Sequence, residues 1–249
     1  MSNAMLQAFP ASLRAELSEV QDQLLHVSAD LKPPLNELVT NQVHLSQPLI
    51  RASIALSAGC KNVNTVGESP EKRISLGIAL ELLHIALSIH KNLISTGIAG
   101  NGLEVDKTWV GTIILAGDYC FSRSAKFAAQ TGIPEVVAIF SRALQEINEK
   151  HLRSIDENFY VDYDESIELC TAGCQAAMLI ADLPTDVKMS TLQFSSDLLS
   201  WYSKRLNSSS NQSSLAFPEE LDRRINELVP TQQQRWRDLA EWMVDKSGH

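Results

Sequence analysis

The sequence predicts an all-α protein built as a single helical bundle. No segment shows the strict alternation of apolar and polar residues that is typical of a half-buried strand. Leu, Ala, Ile, Glu and Gln instead recur at helical spacing, and short clusters of Pro, Gly, Asn or Ser interrupt them. One segment, residues 71–94, is apolar on nearly all sides, as expected for a helix at the centre of a bundle.

The predicted helices form one domain over residues 5–249. Proline marks the ends of several helices, and a bend or break is expected near Pro48 in the second one. Residues 207–216 are rich in Ser and Asn, which indicates a flexible linker before the last two helices. Residues 1–4 precede Met5 and are typical of an expression-tag remnant. The predicted helices span residues 12–31, 35–58, 71–94, 107–131, 134–155, 164–181, 184–206, 219–228 and 231–244.

Composition excludes several classes of partner. The net charge of −9 disfavours nucleic acid and anionic membrane surfaces. The chain has no run of eighteen uncharged apolar residues and no basic segment leading into an apolar one. We therefore expect a cytoplasmic protein without stable membrane insertion or a secretory signal. None of the four cysteines forms a C-x-x-C pair, so buried reduced thiols are expected.

Several motifs in the chain resemble those of one known family. Residues 79–90 read A-L-E-L-L-H-I-A-L-S-I-H, residues 115–119 read L-A-G-D-Y, and residues 133–136 read I-P-E-V. In this order they resemble the core helices of the trans-polyprenyl diphosphate synthase family. The resemblance covers about residues 17–244 and implies an isoprenoid-synthase-type helical bundle, truncated after the helix of the second aspartate-rich motif.

The resemblance also indicates which metal-binding residues of the family are absent from this sequence. In the family, two aspartate-rich motifs hold the magnesium ions that grip a substrate diphosphate. Lys91, Asn92 and Ser95 occupy the three aspartate positions of the first motif, and Leu206 with Asn207 occupies the start of the second. Mg²⁺ prefers carboxylate ligands, and an ammonium group repels it. We therefore expect a degenerate site with no catalytic residue, no metal ligand and no cofactor.

Four cations suggest an alternative use of this end of the bundle. Arg51, Lys91, Lys204 and Arg205 could form a cradle that binds an anion without metal. Lys204 and Arg205 are better explained as solvated residues at a frayed helix end.

The central helix leaves two further questions open. Leu82, Ala86 and Ile89 could line an apolar cavity, or they could simply fill the core. Glu81 requires a partner if it is buried, and the sequence does not identify one. His84 lies six residues before the next histidine of the helix, so the two do not share a face and do not form a metal pair.

Three functions are compatible with these observations. The resemblance implies isoprenoid biosynthesis, where the chain would be a non-catalytic small or regulatory subunit of a heteromeric prenyl synthase. It would then form a homodimer, or a heterodimer with a catalytically competent chain, through the helix that contains L-A-G-D-Y. The alternatives are a prenyl- or lipid-binding module that carries out no reaction, and a prenyltransferase whose metal ligands come from elsewhere in the chain.

Overall fold

The computed structural model confirms the all-α fold. It describes residues 9–46, 49–60, 70–95, 107–156, 165–207 and 217–246, and these ranges contain no strand. A short 3-10 helix, Ala11–Leu13, precedes the first α-helix. The α-helices are α1 (Arg14–Ala29), α2 (Leu35–Leu45), α3 (Ile50–Ala58), α4 (Pro70–Ser95), α5 (Lys107–Gln130), α6 (Pro134–Asp156), α7 (Ser166–Ile180), α8 (Thr185–Asn207), α9 (Glu219–Glu227) and α10 (Pro230–Lys246).

The second predicted helix is two helices in the structure. α2 ends at Leu45 and α3 begins at Ile50, so the expected break is present, although Pro48 itself lies outside the described residues. Leu49, buried just before α3, has a left-handed φ of 58°. At the other end, Asn207 is the last residue of α8, whereas the rest of the predicted linker and the predicted tag lie outside the described ranges.

α4 is the central helix of the bundle. It packs against α1, α2, α3, α5 and α7. By length and hydropathy alone its stretch Pro70–Asn92 could cross a membrane, but 61% of that stretch is buried inside the bundle. A charged residue, Glu81, lies at its middle with 0% exposure. Because surrounding helices cover its apolar surface, α4 is better explained as a core helix than as a membrane span.

Three apolar clusters hold the bundle together around α4. The first joins α3 and α7 to the three C-terminal helices, with Phe194 and Trp236 in edge-to-face contact at 5.2 Å. The second joins α1, α2 and α3 to one side of α4 and to α5, and the third joins α4 to α6 and α7. α4 emerges from these clusters at both ends, where Lys72 and Lys91 are exposed.

Side chains of the last helix, α10, form hydrogen bonds with carbonyl oxygens at the C-terminal end of α3. Arg235 Nη1 donates to the carbonyl oxygen of Leu56 at 3.1 Å, and Gln232 Nε2 donates to that of Ala58 at 2.5 Å. The last carbonyls of a helix have no partner within the helix and need one from elsewhere. Side chains of α10 supply these partners and anchor α10 to α3.

Candidate functional site

The site predicted from the sequence lies at the C-terminal end of α4. Lys91 is exposed and Asn92 is half-buried. Ser95 ends the helix, and Leu206 and Asn207 end α8, but the side chains of these three residues lie outside the described part of the structure.

A buried ion pair lies near the middle of α4, on the N-terminal side of this predicted site. Arg51 Nε donates to Glu81 Oε2 at 3.0 Å, and the backbone N–H of Ala52 donates to Glu81 Oε1 at 3.0 Å. Arg51 is 6% exposed and Glu81 is not exposed at all. The two contacts satisfy both carboxylate oxygens and identify the partner that the sequence could not name.

Arg51 also joins a third helix to this pair. Its Nη1 donates to Ser166 Oγ at 3.1 Å, so one guanidinium links α3, α4 and the start of α7. An anion at this position would have to compete with Glu81, which already holds the guanidinium at short range.

Arg205 is engaged in a different part of the bundle. It is 8% exposed, stacks over the ring of Trp201 at 5.6 Å and donates from Nη2 to the carbonyl oxygen of Val244 at 3.1 Å. Arg205 therefore helps to pack α8 against the end of α10. Its neighbour Lys204 is exposed.

A polar stripe runs along one face of α4. Glu81, His84, Ser88 and Lys91 follow each other at spacings of three, four and three residues, which places them one above another on a helix. Exposure increases along the stripe, from buried Glu81 through half-buried His84 and Ser88 to exposed Lys91. The stripe was not predicted from the sequence, although the spacing of the four residues indicates it.

His84 occupies an unusual position in the polar stripe. Its Nδ1 atom is buried and has no hydrogen-bond partner among the described residues, and its Nε2 lies 3.4 Å from Ser88 Oγ. Burial, together with the positive charges of Arg51 and Lys91, lowers the pKa of His84 to about 2. The imidazole is therefore neutral at physiological pH although a cation lies on either side of it.

His90 has a different environment, as its position on the helix predicts. Its Nε2 lies 3.4 Å from the carbonyl oxygen of Ile114 and 3.5 Å from Asp118 Oδ1. The ring rests on Gly117, where an added Cβ would lie only 2.1 Å from Nε2. This close approach of α4 and α5 gives a physical reason for the glycine of L-A-G-D-Y.

The three candidate cavity-lining residues are packed into the core. Leu82, Ala86 and Ile89 are 0%, 2% and 0% exposed and belong to the cluster that joins α4 to α1, α2 and α5. Two cavities were found elsewhere, one of about 370 Å³ between α9 and α10 and one of about 210 Å³ between α6 and α7. None of the three residues lines either cavity.

The side chains at this end of α4 do not suit magnesium. Lys91 brings a positive charge and Asn92 a single neutral carbonyl oxygen, whereas Mg²⁺ needs anionic oxygen ligands in near-octahedral geometry. Across the described ranges, no group of three or more His, Cys, Asp or Glu side chains is placed to hold a metal ion.

All four cysteines are buried free thiols. Burial raises the pKa of Cys120 and of Cys174 to about 12. Cys170 is fully buried in the first apolar cluster. These thiols contribute packing and offer no nucleophile.

Four large apolar side chains of α5 are exposed to solvent. Leu115 is 61% exposed, and Trp109, Phe121 and Ile114 are 43%, 42% and 41% exposed. Large apolar side chains concentrated on one helix mark an interaction surface more often than scattered ones do.

Comparison with curated proteins finds relatives among the prenyl synthases. No family model matches the chain. The chain is 23% identical over 195 residues to heptaprenyl diphosphate synthase component 2 of Geobacillus stearothermophilus, a match over 73% of this chain and 59% of that protein. It is also 23% identical over 183 residues to a prenyl transferase of Porphyra purpurea, over 69% of this chain and 56% of that protein. The chain is thus similar to proteins of the trans-prenyl diphosphate synthase family, the family that its motifs resemble. It spans less than two thirds of the length of both relatives.

Solved structures show the same fold. A decaprenyl diphosphate synthase from Rhodobacter capsulatus superposes with a TM-score of 0.65 at 14% identity, over 97% of this chain and 99% of that one. A heptaprenyl diphosphate synthase from Staphylococcus aureus superposes with a TM-score of 0.64 at 14% identity, over 95% of this chain and 79% of that one. The isoprenoid-synthase helical bundle expected from the motifs is therefore confirmed.

Proposed function

We propose that this chain is a non-catalytic subunit of a heteromeric prenyl diphosphate synthase and acts in the cytoplasm. The observation that carries the proposal is the pair Lys91 and Asn92 at the end of α4, where the family places metal-binding aspartates. The chain keeps the helices of a prenyl synthase and has lost the side chains that would stabilise a departing diphosphate.

The chemistry of prenyl transfer makes this loss severe. An allylic diphosphate ionises to a carbocation, and the negative charge that develops on the leaving group must be stabilised. Removal of one electrostatic stabiliser costs about 10²–10³ in rate. Replacement of all the aspartates of the first motif exceeds that cost, so the chain alone is expected to be inactive.

Two observations support assembly with another chain. The exposed apolar side chains of α5 offer contacts for a partner, and Leu115 is the most exposed of them. The relative from Geobacillus stearothermophilus is named as component 2 of a synthase, which is the name of one part of a multi-component enzyme.

Co-purification tests the assembly. The tagged chain is co-expressed with the full-length prenyl synthases of its source, and the bound fraction is assayed with Mg²⁺, an allylic diphosphate and isopentenyl diphosphate. We expect an active complex with a competent synthase and no product from the chain alone. Leu115→Glu should abolish capture because it places a charge in an apolar contact.

A matched control variant distinguishes a specific contact from non-specific hydrophobic binding. Leu152 is 63% exposed, close to the 61% of Leu115, but lies on α6 and not on α5. Leu152→Glu should leave capture unchanged. A stable homodimer that binds no synthase would contradict the proposal. Product formed by the chain alone would favour a prenyltransferase with relocated ligands, and a co-purifying isoprenoid found by mass spectrometry would favour the lipid-binding alternative.

A further inference from the structure

The cavity between α9 and α10 is a concave site that the proposed function does not use. Its volume of about 370 Å³ lies in the range of small-molecule pockets. α10 lines it with residues spaced three and four apart, which share one face of the helix. α9 contributes Asp222 and Ile225, and Phe217 lies just before that helix. The cavity is therefore large enough for a small organic molecule.

The inner wall of this cavity is apolar. Ile225 and Ala240 are 0% and 3% exposed and belong to the first apolar cluster. Phe217 and Val244, which are partly exposed, continue the apolar lining towards the surface. The ring of Phe217 is in edge-to-face contact with that of Trp201 at 5.2 Å, so it is held against the bundle. An apolar group in the cavity would be removed from water by these side chains.

The rim of the cavity carries carboxylates. Asp222, Glu241 and Asp245 line it and are exposed to solvent. None of the three carboxylates forms an ion pair or a hydrogen bond with another described residue. Glu241 and Asp245 lie four residues apart on α10, a spacing at which like charges repel each other. A cation beside this pair would relieve the repulsion.

The cavity lining contains one cationic side chain, which is directed elsewhere. Arg237 lies four residues before Glu241, so the two side chains share a helix face. The guanidinium instead donates from Nη2 to the side-chain oxygen of Asn226 on α9. Three carboxylates and one guanidinium leave the lining with two excess negative charges. The electrostatic environment thus favours a cationic ligand.

We propose that this cavity binds a small organic cation, a primary amine attached to an aromatic or branched aliphatic body. The ammonium group donates hydrogen bonds to Glu241 and Asp245, and the body packs against Ile225 and Ala240. A metal ion is a poor alternative because the apolar inner wall offers no oxygen ligands. The site goes beyond the proposed function, since it lies within one chain and needs no partner.

Calorimetry on the full chain tests the site with four matched probes. Tryptamine, tryptophol and indole-3-propionate combine one ring system with a positive, a neutral and a negative group, and methylammonium has the charge without the ring. We expect saturable binding of tryptamine and about tenfold weaker binding of tryptophol, the loss expected for two exposed charge contacts. Indole-3-propionate and methylammonium should not bind. Equal binding of tryptamine and tryptophol would overturn the role of the carboxylates.

Substitutions on α10 locate the binding site. Glu241→Gln and Asp245→Asn should each weaken tryptamine binding about threefold, since both carboxylates are exposed. Glu227→Gln is the matched control, because Glu227 is an exposed glutamate of α9 that does not line the cavity. It should bind tryptamine as the wild type does. Equal losses in the control and in the α10 variants would indicate general attraction to a chain of net charge −9 and overturn the proposal.

A spectroscopic readout distinguishes contact with the ligand from a distant effect. The δ1 methyl signal of Ile225, assigned by its absence in Ile225→Val, should shift when tryptamine is added. The corresponding signal of Ile147, which is also 0% exposed but lies on α6, should not shift. An unchanged Ile225 signal at saturating tryptamine, or no saturable binding, would overturn the site. Leu115→Glu should bind tryptamine normally, so the site and the proposed assembly fail separately.

Discussion

Glu81 and Arg51 are paired inside the bundle at 3.0 Å, although thirty residues separate them in the sequence. A carboxylate buried at 0% exposure in the central helix requires such a partner. The pair links α3 to α4 and, through Ser166, to α7. The ion pair is part of the bundle core, on the N-terminal side of the site predicted at the end of α4.

The first prediction concerns this pair. Arg51→Ala should destabilise the protein by about 3–5 kcal/mol, because it leaves the Glu81 carboxylate buried without its counter-ion. Urea unfolding followed by circular dichroism measures the change. The exposed pair Arg153 and Glu149 on α6 is the control, and Glu149→Ala should cost less than about 1 kcal/mol. Similar losses in the two variants would contradict the structural role.

A second prediction follows from the contact between α4 and α5. Gly117→Ala places a methyl group against the His90 ring, which should cost about 1–3 kcal/mol through displacement of the ring or of the helices. Gly111 in the same helix has no atom within 4 Å of an added Cβ, so Gly111→Ala should stabilise by about 0.5–1 kcal/mol. Thermal unfolding of both variants gives opposite signs if the contact is as described.

A third prediction is a pH dependence. The pKa of His84 is about 2 in the folded protein, below its ordinary value of 6.5, so the unfolded state takes up a proton first as pH falls. Below pH 6.5, His84 should therefore reduce the free energy of unfolding by up to about 1.4 kcal/mol for each pH unit. His84→Gln should lessen the loss of stability between pH 6.5 and 4.5. His44→Gln, at an exposed position, should not.

A fourth prediction tests how α10 is anchored. Gln232 has 0% exposure, donates to the Ala58 carbonyl and accepts from Thr191 Oγ1 at 3.1 Å. Gln232→Ala leaves both partners without a bond and should cost about 1–3 kcal/mol. Gln234, exposed on the same helix, is the control, and its replacement by Ala should change the free energy of unfolding by no more than about 0.5 kcal/mol. Chemical denaturation that leaves both variants at wild-type stability would show that α10 is held by apolar packing alone.

Most of the fold could be predicted from the sequence, because helical periodicity and proline positions are local signals. The apolar segment after Pro70 became the central helix, and the break before Ile50 was foreseen. Contacts between helices could not be predicted from such local signals. Nothing local to Glu81 indicates Arg51, since the contact depends on how α3 crosses α4.

The candidate site, like the fold, could be predicted from the sequence only in part. The substitutions at Lys91 and Asn92 are visible in the sequence, and they remain the basis of the expected loss of metal binding. The proposed cradle of four cations assumed that Arg51 and Arg205 were available, whereas packing engages them with Glu81 and Val244. The spacing of residues in the sequence does not indicate which of several chemically equivalent oxygen acceptors each guanidinium contacts.

The anchoring of α10 has a consequence for synthesis of the protein. Gln232 and Ala58 are 174 positions apart, and Arg235 and Leu56 are 179 apart. During translation, α3 is synthesised well before α10, whose side chains supply these hydrogen bonds. The C-terminal end of α3 can therefore complete its hydrogen bonds only after α10 has been synthesised, so contacts of long sequence separation are needed to finish this part of the bundle.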